Sequence, residues 1–182
     1  MPEYRLLTIW RIEAPLEQVY AVVLDSTRWP EWWPSVYKVE QTAAGDAAGI
    51  GSVRRYSWQG RLPYRLTFDV HATRIENLVA IEGTARGDLE GTGRWHFSRQ
   101  GPVCVVSYEW HVRSTRGWMN LIAPLARSMF IRNHAWIMGQ GAKHLARRLD
   151  AALLSQENID LSGSNLNRRG STPLPVKTLR HR

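Results

Sequence analysis

The chain has 182 residues, of which 43% are hydrophobic and 22% are charged, and its formal net charge is +8. A chain of this length and composition is expected to form one globular domain with a sizeable core. Its single cysteine, Cys104, excludes an intrachain disulfide, which is typical of a reducing compartment. No apolar run reaches the ~20 residues that a membrane span requires, and the first residues lack the apolar segment of a signal peptide. We therefore expect a cytoplasmic protein without a transmembrane segment.

The positive charge does not follow a nucleic-acid-binding pattern. Five of the lysines and arginines lie after Leu154, and the others are scattered along the chain. The sequence contains no helix-turn-helix, zinc-finger or RNA-binding aromatic motif. The charge therefore predicts a weak association with anionic surfaces and no specific nucleic-acid partner.

The first part of the chain is predicted to form one strand and two short helices. Residues 3–13 read as a strand, and residues 15–25 form a short helix with a proline at its start. Two prolines limit residues 27–34 to one or two helical turns. These turns carry three tryptophans, so we interpret them as a packed corner that also walls the entrance of a cavity.

The middle of the chain is predicted to form an antiparallel sheet. Its strands are expected at residues 35–43, 52–59, 64–76, 77–86, 89–99 and 103–113. A two-residue turn at Gln100-Gly101 would pair Trp95 with Val106 in the last hairpin. Both strands of this hairpin then have one apolar and one polar face. This agreement supports the register, because a slip of one residue would invert every side chain.

The sequence gives contradictory answers for Glu82. A two-residue turn at residues 87–88 would place this side chain inside the sheet, whereas a two-residue turn at residues 76–77 would place it outside. The two turns are incompatible, so one connection must contain a bulge or an irregular loop. We expect Glu82 to face the inside.

Residues 124–154 lack an interior proline and are predicted to form one long helix, roughly 45 Å at 1.5 Å per residue. Its second half has an apolar stripe at spacings of three and four, formed by Met138, Ala142, Leu145, Leu149 and Ala152. Asn133 and His134 lie near the same face in the first half. They are interpreted either as groups that line a pocket or as satisfied neighbours of a loop.

Residues 155–182 contain few large apolar side chains and no periodicity, so we expect a flexible, basic C-terminal tail. The folded domain is then residues 1–154. Its predicted class is α+β: a curved antiparallel sheet of about seven strands is wrapped round the long C-terminal helix, with two short helices after the first strand. A sheet that grips one helix leaves a space between them unless side chains fill it.

The order of elements over residues 3–154 resembles the START-like (SRPBCC) superfamily, whose helix-grip fold is shared by Bet v 1-type proteins and the polyketide cyclase/dehydrase family. The local matches are Trp29-Pro30-Glu31-Trp32-Trp33-Pro34, Gly87-Asp88-Leu89-Glu90-Gly91-x-Gly93-x-Trp95 and Phe130-x-x-Asn133-His134-x-x-x-Met138. The resemblance implies a START-like ligand-binding domain with a hydrophobic cavity between sheet and helix, for a lipid, a polyketide or an aromatic compound. It implies no particular reaction, because this fold carries many functions.

The candidate site residues follow from this resemblance and from the predicted inner faces of the strands and the long helix. The aromatase/cyclases have arginine, tyrosine and tryptophan in the pocket, and the nearest residues here are Arg54, Tyr56, Trp58 and Asn133. The other candidate ligand-binding residues are Trp33, Phe68, Trp95, Tyr108, Trp110, Met129 and Trp136. Arg54, Glu82 and His134 are the candidate catalytic residues, as a polar cluster in which Arg54 holds an oxyanion and His134 moves a proton. The alternative places Arg54 and Glu82 on the solvent face and leaves His134 as a core histidine.

Three functions fit these predictions. We favour a protein that binds a small hydrophobic molecule, and the alternative is an enzyme of the polyketide cyclase/dehydrase type. The third is an interaction module whose own tryptophans fill the cavity. The sequence contains no HExxH, CxxC or GxSxG motif, so we expect no metal and no cofactor. A monomer and a homodimer are equally consistent with the sequence.

Overall fold

The computed structural model describes residues 3–61, 63–117 and 123–162, and of residues 123–126 only the backbone. The strands are β1 Glu3–Glu13, β2 Val36–Ala43, β3 Val53–Gln59, β4 Arg65–Glu76, β5 Ala80–Gly87, β6 Leu89–Gln100, β7 Val103–Ser114 and β8 Ala152–Asp160. The helices are α1 Leu16–Leu24, a 3-10 helix Ser26–Glu31 and the long helix α2 Ala123–Arg148.

All eight strands form one antiparallel sheet in the order β2-β3-β4-β5-β6-β7-β1-β8. The two short helices follow β1, and α2 packs on the inner face of the sheet. The architecture confirms the predicted α+β helix-grip fold, with eight strands where about seven were expected.

The β6–β7 hairpin has the predicted faces but a different register. The two residues between the strands are Gly101 and Pro102, so Trp95 lies opposite Tyr108 instead of Val106. The predicted pairing is therefore wrong by two residues. Because side chains alternate with a period of two, this shift leaves the apolar face inside and the polar face outside.

An irregularity in β4 and a one-residue connection between β5 and β6 together decide the position of Glu82. The register between β4 and β5 shifts between Ala72 and Arg74, as expected for a β-bulge. Glu82 lies opposite Arg94 in β6, whereas the inner-face residue Trp95 lies opposite Ile81. The side chain of Glu82 is therefore on the outer face, and the prediction that it faces inside is wrong.

The long helix ends earlier than predicted, and a strand follows it. Helix α2 stops at Arg148, Asp150 adopts a positive φ of 49°, and β8 then pairs with β1. The predicted helix end at residue 154 and the flexible tail from residue 155 are therefore wrong for residues 149–162. Residues 163–182 lie outside the described part of the chain.

Strand β8 is held by its backbone and by polar side chains, which explains why its composition did not predict a strand. It is an edge strand, so few of its side chains enter the core. Thr8 donates to Asn158 at 2.8 Å, Arg11 binds Glu157 at 2.5 Å, and Asp160 accepts from α2 residue Arg127 at 2.9 Å.

The segment with two prolines is a packed corner, as predicted. Trp29, Trp32 and Trp33 are all buried there. The indole of Trp29 donates to the carbonyl oxygen of Val23 at 3.1 Å, and the indole of Trp33 donates to that of Ile137 in α2 at 3.0 Å. The corner therefore ties α1 and α2 together beside the inner face of the sheet.

Candidate functional site

Two adjoining cavities lie on the inner face of the sheet. The first, of about 70 Å³, is closed on one side by α2 and is called the helix-side cavity. The second, of about 100 Å³, is bounded by α1, the 3-10 helix and strands β3 to β7 and is called the Arg54-side cavity. Both are lined by the same six aromatic residues: Trp29, Trp58, Phe68, Trp95, Tyr108 and Trp110.

Part of the shared wall consists of nearly parallel rings on β6 and β7. Tyr108 lies 4.2 Å from Trp95 and 5.7 Å from Trp110 between ring centroids, at interplanar angles of 26° and 24°. Trp95 and Tyr108 lie opposite each other on neighbouring strands, which are about 4.8 Å apart, whereas Trp110 follows Tyr108 by two residues on the same face of β7. Ring faces aligned like this offer a flat apolar ligand a surface on which to stack.

The Arg54-side cavity contains a positive charge. Arg54 Nη1 donates to the carbonyl oxygen of Leu24 at 3.1 Å and to Ser26 Oγ at 2.9 Å. Ser26 Oγ also lies 2.7 Å from the hydroxyl of Tyr56, so these three side chains form one polar cluster. Burial raises the pKa of Tyr56, and the hydrogen bond with Ser26 and the charge of Arg54 partly oppose that rise. Tyr56 is therefore a neutral hydrogen-bond donor at neutral pH.

Unsatisfied polar atoms lie along both cavities. Arg54 Nε, Trp58 Nε1 and His134 Nε2 are buried, and none has a hydrogen-bond partner among the described groups. A buried donor or acceptor without a partner costs about 1–3 kcal/mol. A ligand that hydrogen-bonds these atoms would recover part of that cost.

The imidazole of His134 is neutral at physiological pH. Burial lowers its pKa from 6.5 to about 4, because charging the ring inside an apolar cavity would remove it from water. The hypothesis that His134 exchanges a proton near neutrality assumed an unperturbed pKa and is wrong in that respect.

We predict that His134 makes stability fall as the pH is lowered. In the unfolded chain the ring binds a proton near pH 6.5, whereas in the folded protein it does so near pH 4. The unfolded state therefore binds more protons between these values, and acidification across this window should cost about 3 kcal/mol. The measurement is the free energy of unfolding in urea at several pH values, for the wild type and His134→Gln.

The carboxylates also titrate at low pH and contribute to the pH dependence of both proteins. The difference in the free energy of unfolding between the wild type and His134→Gln therefore gives the contribution of His134 alone. His134→Gln should lack this component, whereas His96→Gln, exposed on β6, should keep it. Equal pH profiles for the wild type and His134→Gln would contradict the prediction.

Asn133 lines the helix-side cavity and also positions a loop. Its Oδ1 accepts a hydrogen bond from the backbone nitrogen of Arg61 at 3.0 Å. Gly60 fits against the same amide, since a Cβ at Gly60 would overlap Asn133 Oδ1. Both interpretations of this side chain, as a pocket wall and as the neighbour of a loop, therefore hold.

The structure brings together ten of the thirteen candidate residues. The helix-side cavity is lined by Trp33, Trp58, Phe68, Trp95, Tyr108, Trp110, Asn133 and His134. Arg54 and Tyr56 line the Arg54-side cavity. Arg54 is on the inner face, so the alternative with Arg54 on the solvent face is wrong.

The other three candidates do not point into the cavities. Glu82 borders the Arg54-side cavity, but its carboxylate binds Arg74 at 2.8 Å and Arg94 at 3.1 Å on the outer face. Met129 is 39% exposed, and Trp136 is partly exposed and lines neither cavity. The predicted cluster of Arg54, Glu82 and His134 therefore does not form.

Several lining residues were not predicted: Ser26, Trp29, Leu66, Leu89, Phe130, Ile137 and Met138. A signal was available for most of them. Phe130, Ile137 and Met138 lie three or four residues from His134, which places them on the same helix face. Leu66 lies two residues before Phe68 and therefore on the same face of β4. Ser26 gave no signal, since only the tertiary fold brings it to Arg54.

Neither a metal site nor a membrane span is apparent in the described residues. No group of three or more histidine, cysteine, aspartate or glutamate side chains there could hold a metal ion. None of the described helices is long and apolar enough to cross a membrane. The absence of a cofactor stays a prediction.

Several solved structures of other proteins have a similar fold. A START superfamily protein from Mycobacterium smegmatis is 15% identical, with 81% of this chain and 97% of that chain covered and a TM-score of 0.63. The Zhui aromatase/cyclase from a Streptomyces species is 13% identical, with coverages of 82% and 94% and a TM-score of 0.64. A protein from Thermus thermophilus is 19% identical, with coverages of 81% and 99% and a TM-score of 0.64.

At these identities the solved structures support the fold alone. No curated protein shows detectable similarity to this chain. The family described as polyketide cyclase/dehydrase and lipid transport matches residues 10–150, which include all the elements around the cavities. The chain therefore belongs to the polyketide cyclase/dehydrase and lipid transport family.

Proposed function

We propose that this protein binds a small aromatic or otherwise hydrophobic molecule, with at least one oxygen that accepts hydrogen bonds, in the two adjoining cavities. The observation that carries the proposal is the position of Arg54. Its guanidinium lies on an otherwise apolar inner face, and no carboxylate among the described residues pairs with it. A partly buried cation without a carboxylate partner is best complemented by an anionic or strongly accepting oxygen.

The aromatic wall supports a flat ligand. Six rings border both cavities, and the rings of Trp95, Tyr108 and Trp110 are nearly parallel. The unsatisfied Trp58 Nε1 and His134 Nε2 provide further polar contacts away from Arg54. Pockets of this kind, apolar with few polar groups, are typical of small-molecule binding.

The size of the cavities limits the ligand. Volumes of about 70 and 100 Å³ are below the ~300 Å³ at which typical ligand pockets begin. Together they reach the scale of the ~150 Å³ cavity that holds benzene in an engineered protein. The present side-chain positions therefore suit a ligand of one or two rings, and a larger molecule requires the tryptophans to rotate.

Native mass spectrometry of the purified protein tests the proposal directly, because a bound compound adds its mass to the folded protein. A calorimetric titration with naphthoate and with uncharged naphthamide then tests the role of Arg54. We expect Arg54→Gln to weaken naphthoate binding roughly ten- to a hundredfold, as expected for a lost charge-assisted hydrogen bond, and to change naphthamide binding little.

Arg55→Gln is the matched control. Arg55 is adjacent in sequence but lies on the outer face, where it binds Asp69 at 2.8 Å. This variant should bind both probes as the wild type does. The proposal fails if no compound co-purifies and neither probe binds, or if both variants have the same effect.

The alternative function is catalysis of the polyketide cyclase/dehydrase type in the same cavities. One observation favours it: Arg54, Ser26 and Tyr56 place hydrogen-bond donors at one end of an apolar cavity, where they would stabilise an enolate oxygen. A pKa of about 4 makes His134 a weak base for the accompanying proton transfer. Cyclisation of a synthetic poly-β-ketone thioester, lost in Tyr56→Phe while naphthamide still binds, would support this alternative.

A further inference from the structure

Helix α2 has an unusual charge composition. Its 26 residues include five arginines and lysines and no acidic residue. Arg127 binds Asp160 at 2.9 Å, and Arg148 lies 3.5 Å from Glu31. The other three cations have no carboxylate partner among the described residues: Arg132, Lys143 and Arg147.

These three cations lie on one side of the helix. Spacings of three and four residues define one stripe, the α2 stripe, formed by Met129, Arg132, Trp136, Gln140, Lys143 and Arg147. Its three cations are all exposed, whereas the opposite side is buried at Met138, Ala142 and Leu145. The stripe is therefore the solvent side of the helix whose other side packs in the domain.

The α2 stripe also contains two apolar side chains that the core does not use. Met129 is 39% exposed. Trp136 is partly exposed and, among the tryptophans that the structure describes, it alone is not part of the hydrophobic core. Leaving Met129 and part of Trp136 exposed beside arginine forfeits part of the gain from their burial.

We propose that the α2 stripe is a docking surface for anionic lipid membranes. Cations attract the negative headgroups, and tryptophan and methionine insert at the boundary between headgroups and acyl chains. Arg132 lies between Met129 and Trp136 on the stripe, so its guanidinium can reach a phosphate while the two apolar groups enter the boundary. A polyanion such as a nucleic acid would complement the cations but would offer no apolar layer for Met129.

The α2 stripe and the helix-side cavity occupy different sides of the helix. Phe130, His134 and Ile137 line the cavity, buried Asn133 lies where the two sides meet, and the three cations of the stripe are exposed. The inference is independent of the ligand in the cavities, since it rests on the solvent side of α2 alone.

Vesicle flotation with the full chain tests the proposal. We expect the protein to float with vesicles of equal parts phosphatidylglycerol and phosphatidylcholine and to dissociate from them at high salt. It should not float with vesicles of pure phosphatidylcholine. Each cation near an anionic surface changes partitioning roughly fivefold, so the combined variant Arg132→Gln, Lys143→Gln and Arg147→Gln should lose on the order of a hundredfold.

A variant with the same change in net charge is the matched control. Arg5→Gln, Lys38→Gln and Arg86→Gln remove three exposed cations from the strands β1, β2 and β5. This control should keep vesicle binding. If it loses as much binding as the α2 variant, net charge and not the stripe is responsible, and the proposal is overturned.

Trp136 gives a second, independent readout. Brominated phosphatidylcholine mixed into the anionic vesicles should quench part of the tryptophan emission of the wild type. The Trp136→Phe variant should lack this quenched part. Its circular dichroism spectrum should match that of the wild type, which shows that the fold is kept. Equal quenching in both proteins would overturn the proposed orientation. Binding of single-stranded DNA without vesicle binding would overturn the membrane as the partner.

Discussion

Replacing Trp33 by alanine is expected to lower the free energy of unfolding by about 3–5 kcal/mol, the usual cost of removing a buried tryptophan. Trp33 is 1% exposed, and its ring centroid lies 5.1 Å from those of Trp29 and Trp58. Its indole nitrogen also donates to the carbonyl oxygen of Ile137. The melting temperature should fall by roughly 10 °C or more for a protein of this size. Thermal and urea unfolding followed by circular dichroism measure both quantities.

Two glycines of α2 provide a matched test of the same contact. A Cβ at Gly141 would overlap the Trp33 ring, so Gly141→Ala should destabilise the protein although alanine favours helices. A Cβ at Gly139 would meet only the end of the Gln156 side chain, at 3.1 Å, so Gly139→Ala should gain up to about 1 kcal/mol. A stable Gly141→Ala variant, or a loss below about 1 kcal/mol for Trp33→Ala, would contradict the central position of Trp33.

Removing strand β8 is the second change with a large expected effect. A chain that ends at Leu154 loses the pairing of residues 155–160 with β1, including that of Gln156 with Trp10. It also loses the partner of Arg127 in α2. With each backbone hydrogen bond worth about 1 kcal/mol, we expect a loss of roughly 3–5 kcal/mol and a melting temperature lower by about 10 °C.

The proper comparison for this truncation is a chain that ends at Ser162. That chain keeps every contact described for β8, so the difference between the two truncations measures residues 155–162 alone. The composition of this segment predicts a dispensable tail and hence equal melting temperatures. Such equality would mean that β8 adds no stability to the sheet.

The strand β8 also lies beyond the part of the chain that matches the family. The match ends at residue 150, and β8 extends the sheet past β1, which would otherwise be its edge. The addition protects the backbone of β1 and gives α2 a further strand to pack on, through Gly139 and Gln156.

Seven of the ten candidate residues that line the cavities lie on strands, and their direction follows from the alternation within a strand. Phe68, Trp95, Tyr108 and Trp110 all line the cavities, even though the predicted β6–β7 pairing was wrong by two residues. An even error in register leaves the faces unchanged, so the aromatic lining was robust to it.

The incorrect site residues failed for different reasons. Trp136 lies two residues after His134, which is roughly 200° round the helix. Its position outside the cavity could therefore have been predicted from the sequence. Glu82 depended on a bulge near Ala72 and on the connection of β5 to β6, which is Asp88 alone instead of the predicted two-residue turn. The pKa of His134 depended on burial by distant strands, which spacing alone does not report.

The sequence by itself determined the order of the elements up to α2, the inner faces of most strands and the helix that the sheet grips, because periodicities of 2 and 3.6 are local properties of the chain. Only the tertiary structure decided that Arg54 meets Ser26 and Tyr56, that Glu82 lies outside and that residues 152–160 form a strand. Each of these depends on contacts between residues distant in sequence. Such contacts form by closing the sheet round α2, and no local pattern encodes how that closure aligns the partners.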